Sequence, residues 1–285
     1  MSILSIQSHV AFGHVGNSAA VFPLQLMGHE TWPIHTVQFS NHTGYGTWTG
    51  RVFDGDFISE LVDGMHARGA LGGCEAVLSG YMGSAPIVNA VVDTVARVRA
   101  ENPKALYCCD PVMGDVGRGI FVQEGIPELF VKKAIPAADI ITPNMFELEL
   151  ASGRTVKTMA DALEAAELLR KMGPKIVVVS SLVVEETAPD TITILVVSDE
   201  GAWTVTTPIV PLEIAPNGAG DMLSSLFLGH ILKGYSAPEA LSRTISAIYE
   251  VLQSTLKSGQ RELKIVPTGF KMLEPEVLFQ PSKVA

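Results

Sequence analysis

Charged residues are scarce in this sequence of 285 residues: they make up 18% of it, whereas hydrophobic residues make up 47%. A disordered chain has the opposite balance, so the composition indicates a folded globular protein. The 20 basic residues are outnumbered by 30 acidic ones and form no cluster, which argues against a nucleic-acid partner. A phosphate ligand is still compatible with this charge, because backbone amides at a helix N-terminus bind phosphate without lysine side chains.

Basic residues are absent before Arg51, and acidic residues are absent before Glu30. A secretory signal starts with positive charge and a transit peptide is rich in arginine, so the sequence predicts neither. Glycine, proline, asparagine and histidine interrupt the uncharged stretch, which therefore contains no membrane span of about 20 apolar residues. The 3 cysteines have no zinc spacing and fit a reducing compartment. We expect a cytoplasmic protein without a membrane partner.

Short apolar runs alternate with longer helical segments along the chain, which is typical of repeated βαβ units. Most of the runs are continuously apolar, as expected for parallel strands covered by helices on both faces. The sequence therefore predicts an α/β fold in a single domain over residues 1–285. We predict strands at residues 3–7, 31–38, 76–79, 106–110, 139–142, 176–180 and 191–197, and an antiparallel edge strand at 203–205.

Two helix starts have the spacing of a capping box, in which residues three apart bond each other's backbone amides. One pair is Thr158 with Asp161, and the other is Asn144 with Glu147. We expect a helix to begin directly after each of the two first members.

The sharpest motif is at residues 217–221 (NGAGD), directly before an apolar helical run. Glycines at a helix start let backbone amides point at an anion, and the helix dipole favours negative charge there. A carboxylate at that place repels phosphate unless it has a task, such as taking a proton from an attacking hydroxyl, so Asp221 is a candidate base. Stabilisation of the first helical turn is the alternative. The motif is neither a Walker A loop nor a dinucleotide fingerprint.

A second cluster is at residues 109–115 (CDPVMGD), after a predicted strand. Asp110 and Asp115 lie on a loop with proline and glycine and suit Mg²⁺, which takes one or two carboxylates together with phosphates and water. Glu147 is a third candidate ligand. The alternatives are a turn-starting role for Asp110 and a purely capping role for Glu147. The histidines before Thr43 lack metal-ligand spacing, so we expect no metal site from them.

In a parallel α/β sheet, ligands bind beyond the carboxyl ends of the strands. Polar residues gather at the predicted strand ends, so we expect a ligand cleft at that rim. These residues are Ser8, His9, residues 38–43, residues 79–81, Asp110, residues 142–144, Ser180 and Ser181.

With these residues identified, the chain resembles the pyridoxal kinase family of the ribokinase-like superfamily from end to end. The matching segments are residues 5–10 (SIQSHV), 13–18 (GHVGNS), 37–43 (VQFSNHT), 78–84 (LSGYMGS), 110–115 (DPVMGD), 142–147 (TPNMFE) and 218–221 (GAGD). The last segment is shared with sugar and nucleoside kinases, whereas the N-terminal ones form the family's vitamin pocket. The resemblance implies a three-layer α/β/α ribokinase-like fold with a mostly parallel central sheet.

The resemblance also implies a reaction, in which ATP donates its γ-phosphate to the 5′-hydroxyl of pyridoxal, and of pyridoxine or pyridoxamine. The product is pyridoxal 5′-phosphate, and the pathway is vitamin B6 salvage. Mg²⁺, a monovalent cation such as K⁺, and a homodimer are typical of the family. Asp221 matches the catalytic base, and Gly218, Ala219 and Gly220 match the amides of the anion hole.

The remaining correspondences are binding contacts. Contacts to the pyridine substrate match Ser8, His42, Thr43, Tyr81 and Asp221. Contacts to the nucleotide match Asp110, Thr142, Glu147, Ser180, Thr207, Pro208, Ile209, Val210, Gly218 and Gly220. Ligands of Mg²⁺ or of the monovalent cation match Asp110, Asp115 and Glu147.

The chain departs from the family at three positions. Some members have lysine where this chain has Ser180, others have a hydroxyl residue there, and some have arginine in place of Thr207. Gly44 replaces a glutamine that is common in one subgroup. Two alternatives stay open: a hydroxymethylpyrimidine or other small-molecule kinase of the same fold, and a carrier of pyridoxal phosphate without turnover. A carrier has no use for four acids around an anion site, which argues against the second.

Overall fold

The computed structural model describes residues 1–284 of the chain. Within this range a large sheet is covered by helices on both faces. The strands are β1 (Ser2–Val10), β2 (Glu30–Phe39), β3 (Gly50–Val52), β4 (Cys74–Ser79), β5 (Leu106–Cys109), β6 (Gly114–Asp115), β7 (Gly119–Ile120), β8 (Ile140–Ile141), β9 (Ile176–Leu182), β10 (Thr191–Ser198), β11 (Gly201–Pro208) and β12 (Ser282–Lys283). The helices are α1 (Asn17–Leu26), α2 (Gly55–Ala67), α3 (Ala85–Glu101), α4 (Ile126–Leu129), α5 (Ile135–Ala137), α6 (Met145–Ser152), α7 (Met159–Arg170), α8 (Ala219–Leu232), α9 (Ala237–Ser258) and α10 (Ile265–Leu273).

The order of strands in the described sheet is β12-β11-β10-β9-β8-β5-β4-β1-β2-β3. The strands from β9 through β2 in this order are parallel, whereas β3 and β10 to β12 pair in the antiparallel sense. The predicted mostly parallel sheet is therefore confirmed. The strand predicted at residues 203–205 belongs to the antiparallel β11, but its prediction as an edge strand is wrong, because Trp203 and Thr204 pair with β12. That partner comes from the far end of the chain.

Two hydrophobic clusters fill the space between the sheet and its helices. One contains buried residues of α2, α3, α6 and α7, and the other contains buried residues of α1, α8, α9 and α10. Successive residues of a strand point to opposite faces, so Ile3 of β1 joins the second cluster and Leu4 joins the first. Both faces of the central strands are buried, which explains why these strands are apolar at every position.

Both predicted capping boxes are present and fix the starts of α6 and α7. The Asn144 side chain accepts from the Glu147 amide at 2.9 Å, and the Asn144 amide donates to Glu147 Oε2 at 2.9 Å. Thr158 and Asp161 exchange the same pair of bonds, at 3.2 and 2.9 Å. Local sequence therefore sets where these helices begin.

The six parallel strands all end at one rim of the sheet. Helix α8 begins at that rim, after Gly218, and the small hairpin of β6 and β7 follows β5 there. Among residues 1–284 no helix is both long enough and apolar enough to cross a membrane.

Candidate active site

A cleft of about 630 Å³ opens at the rim where the parallel strands end. Its walls are the loops after these strands and the first turn of α8. It brings together predicted residues from distant parts of the chain, namely Ser8, His42, Thr43, Tyr81, Asp110, Asp115, Thr142, Glu147, Ser180, Gly218, Ala219, Gly220 and Asp221. The expected ligand cleft is therefore present at the expected rim.

The stretch at residues 207–210 is placed differently. Thr207 is a buried residue of β11, Pro208 and Ile209 are exposed, and Val210 is half-buried. None of the four lines the described cleft. Their contact with a nucleotide stays a prediction.

The glycine motif adopts a conformation that only glycine tolerates. Gly218 has φ of +97°, and a Cβ atom there would lie 1.9 Å from the carbonyl oxygen of His14. The chain then enters α8 with Ala219, so the first amides of the helix face the cleft without an overlying side chain at Gly218 or Gly220. Free amides at the positive end of a helix form an anion site.

Asp221 lies in the first turn of α8 and is half-buried. Burial raises the pKa of Asp221 to about 6, and a backbone hydrogen bond from Gly16 partly opposes this effect. Such a carboxyl is mostly ionised at neutral pH and is a stronger proton acceptor than an ordinary aspartate. The residue thus combines the position and the basicity that a general base needs.

Asp110 and Glu147 form a buried acidic pair in the same cleft, with exposed fractions of 5% and 3%. Burial and the neighbouring Glu147 charge raise the pKa of Asp110 well above its ordinary range. Burial also raises the pKa of Glu147 to about 7, although its hydrogen bonds lower it. Glu147 Oε1 accepts from the amides of Met113 and Gly114 at 2.9 and 3.4 Å, in addition to the capping bond at Oε2. Two buried carboxyls that disfavour each other's charge form a site that a cation would stabilise.

The carboxylates of the cleft fit a metal ion that takes most of its ligands from phosphate and water. Among the described residues, no three His, Cys, Asp or Glu side chains lie close enough together to hold a metal ion. Asp115 lines the cleft, but its carboxylate accepts from the Val116 amide at 2.8 Å. The buried hydroxyl of Thr142 lies beside Asp110, where it partly opposes the rise in the pKa of that carboxyl. This arrangement suits Mg²⁺ with one or two carboxylates, the remaining ligands being phosphate and water oxygens.

The other end of the cleft has an apolar wall. Val10, Val15, Val37 and Phe39 form a small buried cluster, and Tyr81 packs against it. All five residues line the cleft, next to the polar side chains predicted to contact the substrate. Flat apolar surfaces with a few polar groups are the usual setting for a small aromatic ligand.

The turn Thr43–Tyr45 is held by contacts that were not predicted from the sequence. The Tyr45 hydroxyl donates to Glu262 Oε1 at 2.5 Å, and the other Glu262 oxygen accepts from the His14 amide at 3.1 Å. The Arg261 guanidinium lies 4.0 Å from the Tyr45 ring centroid and donates to the Gly44 carbonyl at 3.2 Å. No local signal reveals these pairs, because their members are more than 200 positions apart.

Arg118 and Asn144 also line the cleft. Asn144 was predicted both as a helix cap and as a residue of the rim, and its side chain additionally donates to the Gly114 carbonyl at 2.9 Å. Arg118 stands in the connection between β6 and β7, a hairpin that the sequence did not predict.

Comparison with known proteins identifies the family of this chain. A family model described as phosphomethylpyrimidine kinase matches residues 60–266. Pyridoxal kinase PdxY of Deinococcus radiodurans is 53% identical over 99% of this chain and 96% of its own length. The same enzyme of Rubrobacter xylanophilus is 51% identical over 100% of this chain and 98% of its own. The chain belongs to the phosphomethylpyrimidine kinase family and, within it, to the pyridoxal kinases.

A solved structure confirms the architecture of the pyridoxal kinase. The pyridoxal kinase of Leishmania donovani in complex with ADP and pyridoxamine matches with a TM-score of 0.93 at 30% identity, covering 100% of this chain and 99% of that one. The expected family, the mostly parallel ribokinase-like α/β/α fold and the enzyme class are therefore confirmed. The enzyme is a kinase of vitamin B6 salvage, and ATP is its co-substrate.

Proposed function

We propose that the cleft binds pyridoxal at its apolar end and ATP at its acidic end, with Asp221 as the base between them. The observation that carries this proposal is the position of Asp221. It lies in the first turn of α8, beside the free amides that follow Gly218, in the cleft that also contains the predicted vitamin contacts and six of the ten predicted nucleotide contacts.

In the proposed step, the 5′-hydroxyl oxygen of pyridoxal forms a bond to the γ-phosphorus of ATP. The bond from this phosphorus to the β,γ-bridging oxygen breaks, and ADP leaves with the electron pair. The hydroxyl proton passes to the Asp221 carboxylate. The amides of Gly218, Ala219 and Gly220 stabilise the charge on the transferred group, which is the main requirement of phosphoryl transfer.

On the vitamin side, the pyridine ring packs against Tyr81 and the apolar cluster beside it. Ser8, His42 and Thr43 bind the polar substituents of the ring. Structures of the Leishmania enzyme with pyridoxamine and with pyridoxine support the extension to these two vitamers.

On the donor side, Thr142, Ser180, Gly218 and Gly220 contact the phosphates, and residues 207–210 contact the remainder of the nucleotide. Asp110, with Glu147 and Asp115 behind it, holds Mg²⁺ or a monovalent cation such as K⁺. When bound, the cation neutralises phosphate charge. The raised pKa values of Asp110 and Glu147 support a cationic ligand here.

We further propose that residues 1–285 form a single domain, that two copies of the chain form a homodimer, and that the enzyme is cytoplasmic. All three cysteines are free and buried, as is usual for a reducing compartment. Trp48 precedes the exposed edge strand β3 and Val52 lies in it. These two side chains are 43% and 52% exposed, which supports a partner subunit at that edge. Sedimentation equilibrium tests the dimer.

A coupled assay of ADP release tests the proposed substrate. We expect turnover of pyridoxal, pyridoxine and pyridoxamine, and a much smaller kcat/KM with hydroxymethylpyrimidine than with pyridoxal. A larger kcat/KM with hydroxymethylpyrimidine would overturn the vitamin pocket, since the matching family model is described as a phosphomethylpyrimidine kinase. Release of ADP that depends on both Mg²⁺ and pyridoxal would exclude the non-catalytic carrier.

A further inference from the structure

The charge inside the cleft is strongly unbalanced. Its lining includes four carboxyl side chains, and of the described lining residues only Arg118 carries a lysine or arginine side chain. ATP brings several further negative charges into the same space. Phosphoryl transfer requires these charges to be neutralised. Apart from a bound metal and the helix amides, Arg118 is therefore the cation that the described cleft provides.

Arg118 occupies the tip of the β6–β7 hairpin between two glycines. Gly117 and Gly119 have φ of +78° and +68°, in the left-handed region that other residues rarely adopt. A Cβ at either position would meet no atom within 4 Å. These glycines are therefore explained by the shape of the turn and not by crowding, and the turn presents Arg118 at the mouth of the cleft.

The Arg118 side chain is exposed and without an acidic partner. Within residues 1–284 its guanidinium makes none of the ion pairs. It lies 5.6 Å from the ring centroid of Phe121, which also lines the cleft. A guanidinium held over an aromatic ring beside an anion site remains available for a ligand.

The same side chain reaches the vitamin side. A Cβ atom placed on Gly44 would lie 3.6 Å from Arg118 Nη2. Arg118 thus extends from the hairpin that follows Asp110 to the turn that contains Thr43. The phosphoryl group has to pass between these two sides of the cleft.

We propose that Arg118 is a catalytic residue that contacts the phosphoryl group during its transfer. This inference rests on the proposed placement of ATP and pyridoxal in the cleft. The planar fork of N–H donors matches two phosphate oxygens at once and keeps its charge at any physiological pH. It stabilises the charge on the phosphoryl oxygens while the bond to the hydroxyl oxygen forms and the bond to ADP breaks. It takes no proton, which passes to Asp221.

The test compares Arg118→Ala and Arg118→Lys with a matched control, Arg68→Ala, in the full chain. Arg68 is an exposed arginine that follows α2 and does not line the cleft. We expect Arg118→Ala to lower kcat/KM for ATP by about 10²- to 10³-fold, the usual effect of removing one transition-state donor. Arg118→Lys keeps the charge without the fork and should recover about a tenth of the wild-type value. Arg68→Ala should behave as wild type.

A binding measurement separates phosphate contact from support of the fold. Pyridoxal and pyridoxal phosphate are titrated without nucleotide, with the absorbance of the ring as the signal. We expect Arg118→Ala to weaken pyridoxal phosphate binding about tenfold or more while the affinity for pyridoxal and the melting temperature stay as in wild type. A kcat/KM for ATP within threefold of wild type, or equal losses of affinity for the two ligands, would overturn the proposal.

The outcomes for Arg118 and Asp221 are independent. If Asp221→Ala keeps its turnover, the proposed base is wrong, yet Arg118 is still tested by the phosphate dependence of binding. If Asp221→Ala is inactive and Arg118→Ala is normal in both measurements, only the Arg118 proposal fails.

Discussion

On the acidic side of the cleft, the Glu147 side chain is bonded to the backbone of neighbouring segments, whereas at the apolar end a turn is held by residues from the far end of the chain. Glu147 is buried and accepts from three backbone amides of two neighbouring segments. The Thr43–Tyr45 turn contains no buried residue and is bonded to Glu262 and Arg261. The acidic side of the cleft is therefore part of the frame of the sheet. The vitamin turn can change with few consequences for the rest of the fold.

The largest expected effect comes from the residue between the two sides. Asp221→Ala removes the proton acceptor and leaves both walls in place, so kcat should fall by about 10²- to 10⁴-fold, the scale of a general base. Pyridoxal binding should change little. Steady-state ADP release gives kcat, and titration with pyridoxal gives the affinity. Turnover near that of wild type would remove Asp221 from the reaction.

The next effect tests the rigidity of the donor side. Glu147→Ala leaves three backbone amides without their acceptor. Each amide that stays buried without a water partner lowers the free energy of unfolding by about 1–3 kcal/mol. We expect the free energy of unfolding in urea to fall by about 2–4 kcal/mol. Glu149→Ala, on the same helix, removes a single bond to the Val156 amide and is the matched control. Equal losses for the two variants would contradict a special role of Glu147 in the frame.

A smaller effect tests the vitamin turn. Tyr45→Phe removes the hydroxyl bond to Glu262 but keeps the ring under Arg261. We expect KM for pyridoxal to rise about three- to tenfold, because a hydrogen bond to a charged group contributes about 1.5–3 kcal/mol and only part of this loss reaches the substrate through the turn. KM for ATP and kcat should stay within twofold. Tyr249→Phe, whose hydroxyl is bonded to Gln253 in α9, is the control. A rise in KM for ATP of the same size would show that the two sides are not independent.

The last prediction concerns the pH dependence of stability, to which the buried Glu147 contributes. The pKa of Glu147 is raised to about 7, so folding favours its protonated form. This stabilisation is present below the ordinary glutamate pKa and is lost as the pH rises through about 7. We expect the free energy of unfolding of the ligand-free enzyme to fall over this interval, and Glu147→Gln to flatten the fall. An unchanged slope in Glu147→Gln would contradict this assignment.

The parts of the molecule that sequence predicted are those with local causes. Asn144 and Thr158 each form a capping box with an acidic residue three positions later, and this spacing predicts the helix start. Gly218 precedes α8 because its backbone conformation suits glycine alone. The ends of parallel strands meet at one rim for topological reasons, so polar residues such as Asp110 and Ser180 share a cleft.

The parts that sequence did not predict depend on contacts across the chain. Glu262 reaches Tyr45 over 217 positions, and β12 covers the edge of β11 from the C-terminal segment. Such pairings leave no periodicity or spacing in the sequence. The orientation of the β6–β7 turn, which places Arg118 over the cleft, is likewise a property of the folded chain.

The most direct test is the dependence on pH of kcat/KM for pyridoxal, which reports the ionisation of groups in the enzyme before the vitamin binds. A base must be ionised to act, and burial raises the pKa of Asp221 to about 6. We predict that wild-type kcat/KM for pyridoxal rises with pH to a plateau with a midpoint near 6, and that the residual activity of Asp221→Asn lacks this rise. The same rise in Asp221→Asn would show that another group takes the proton of the hydroxyl.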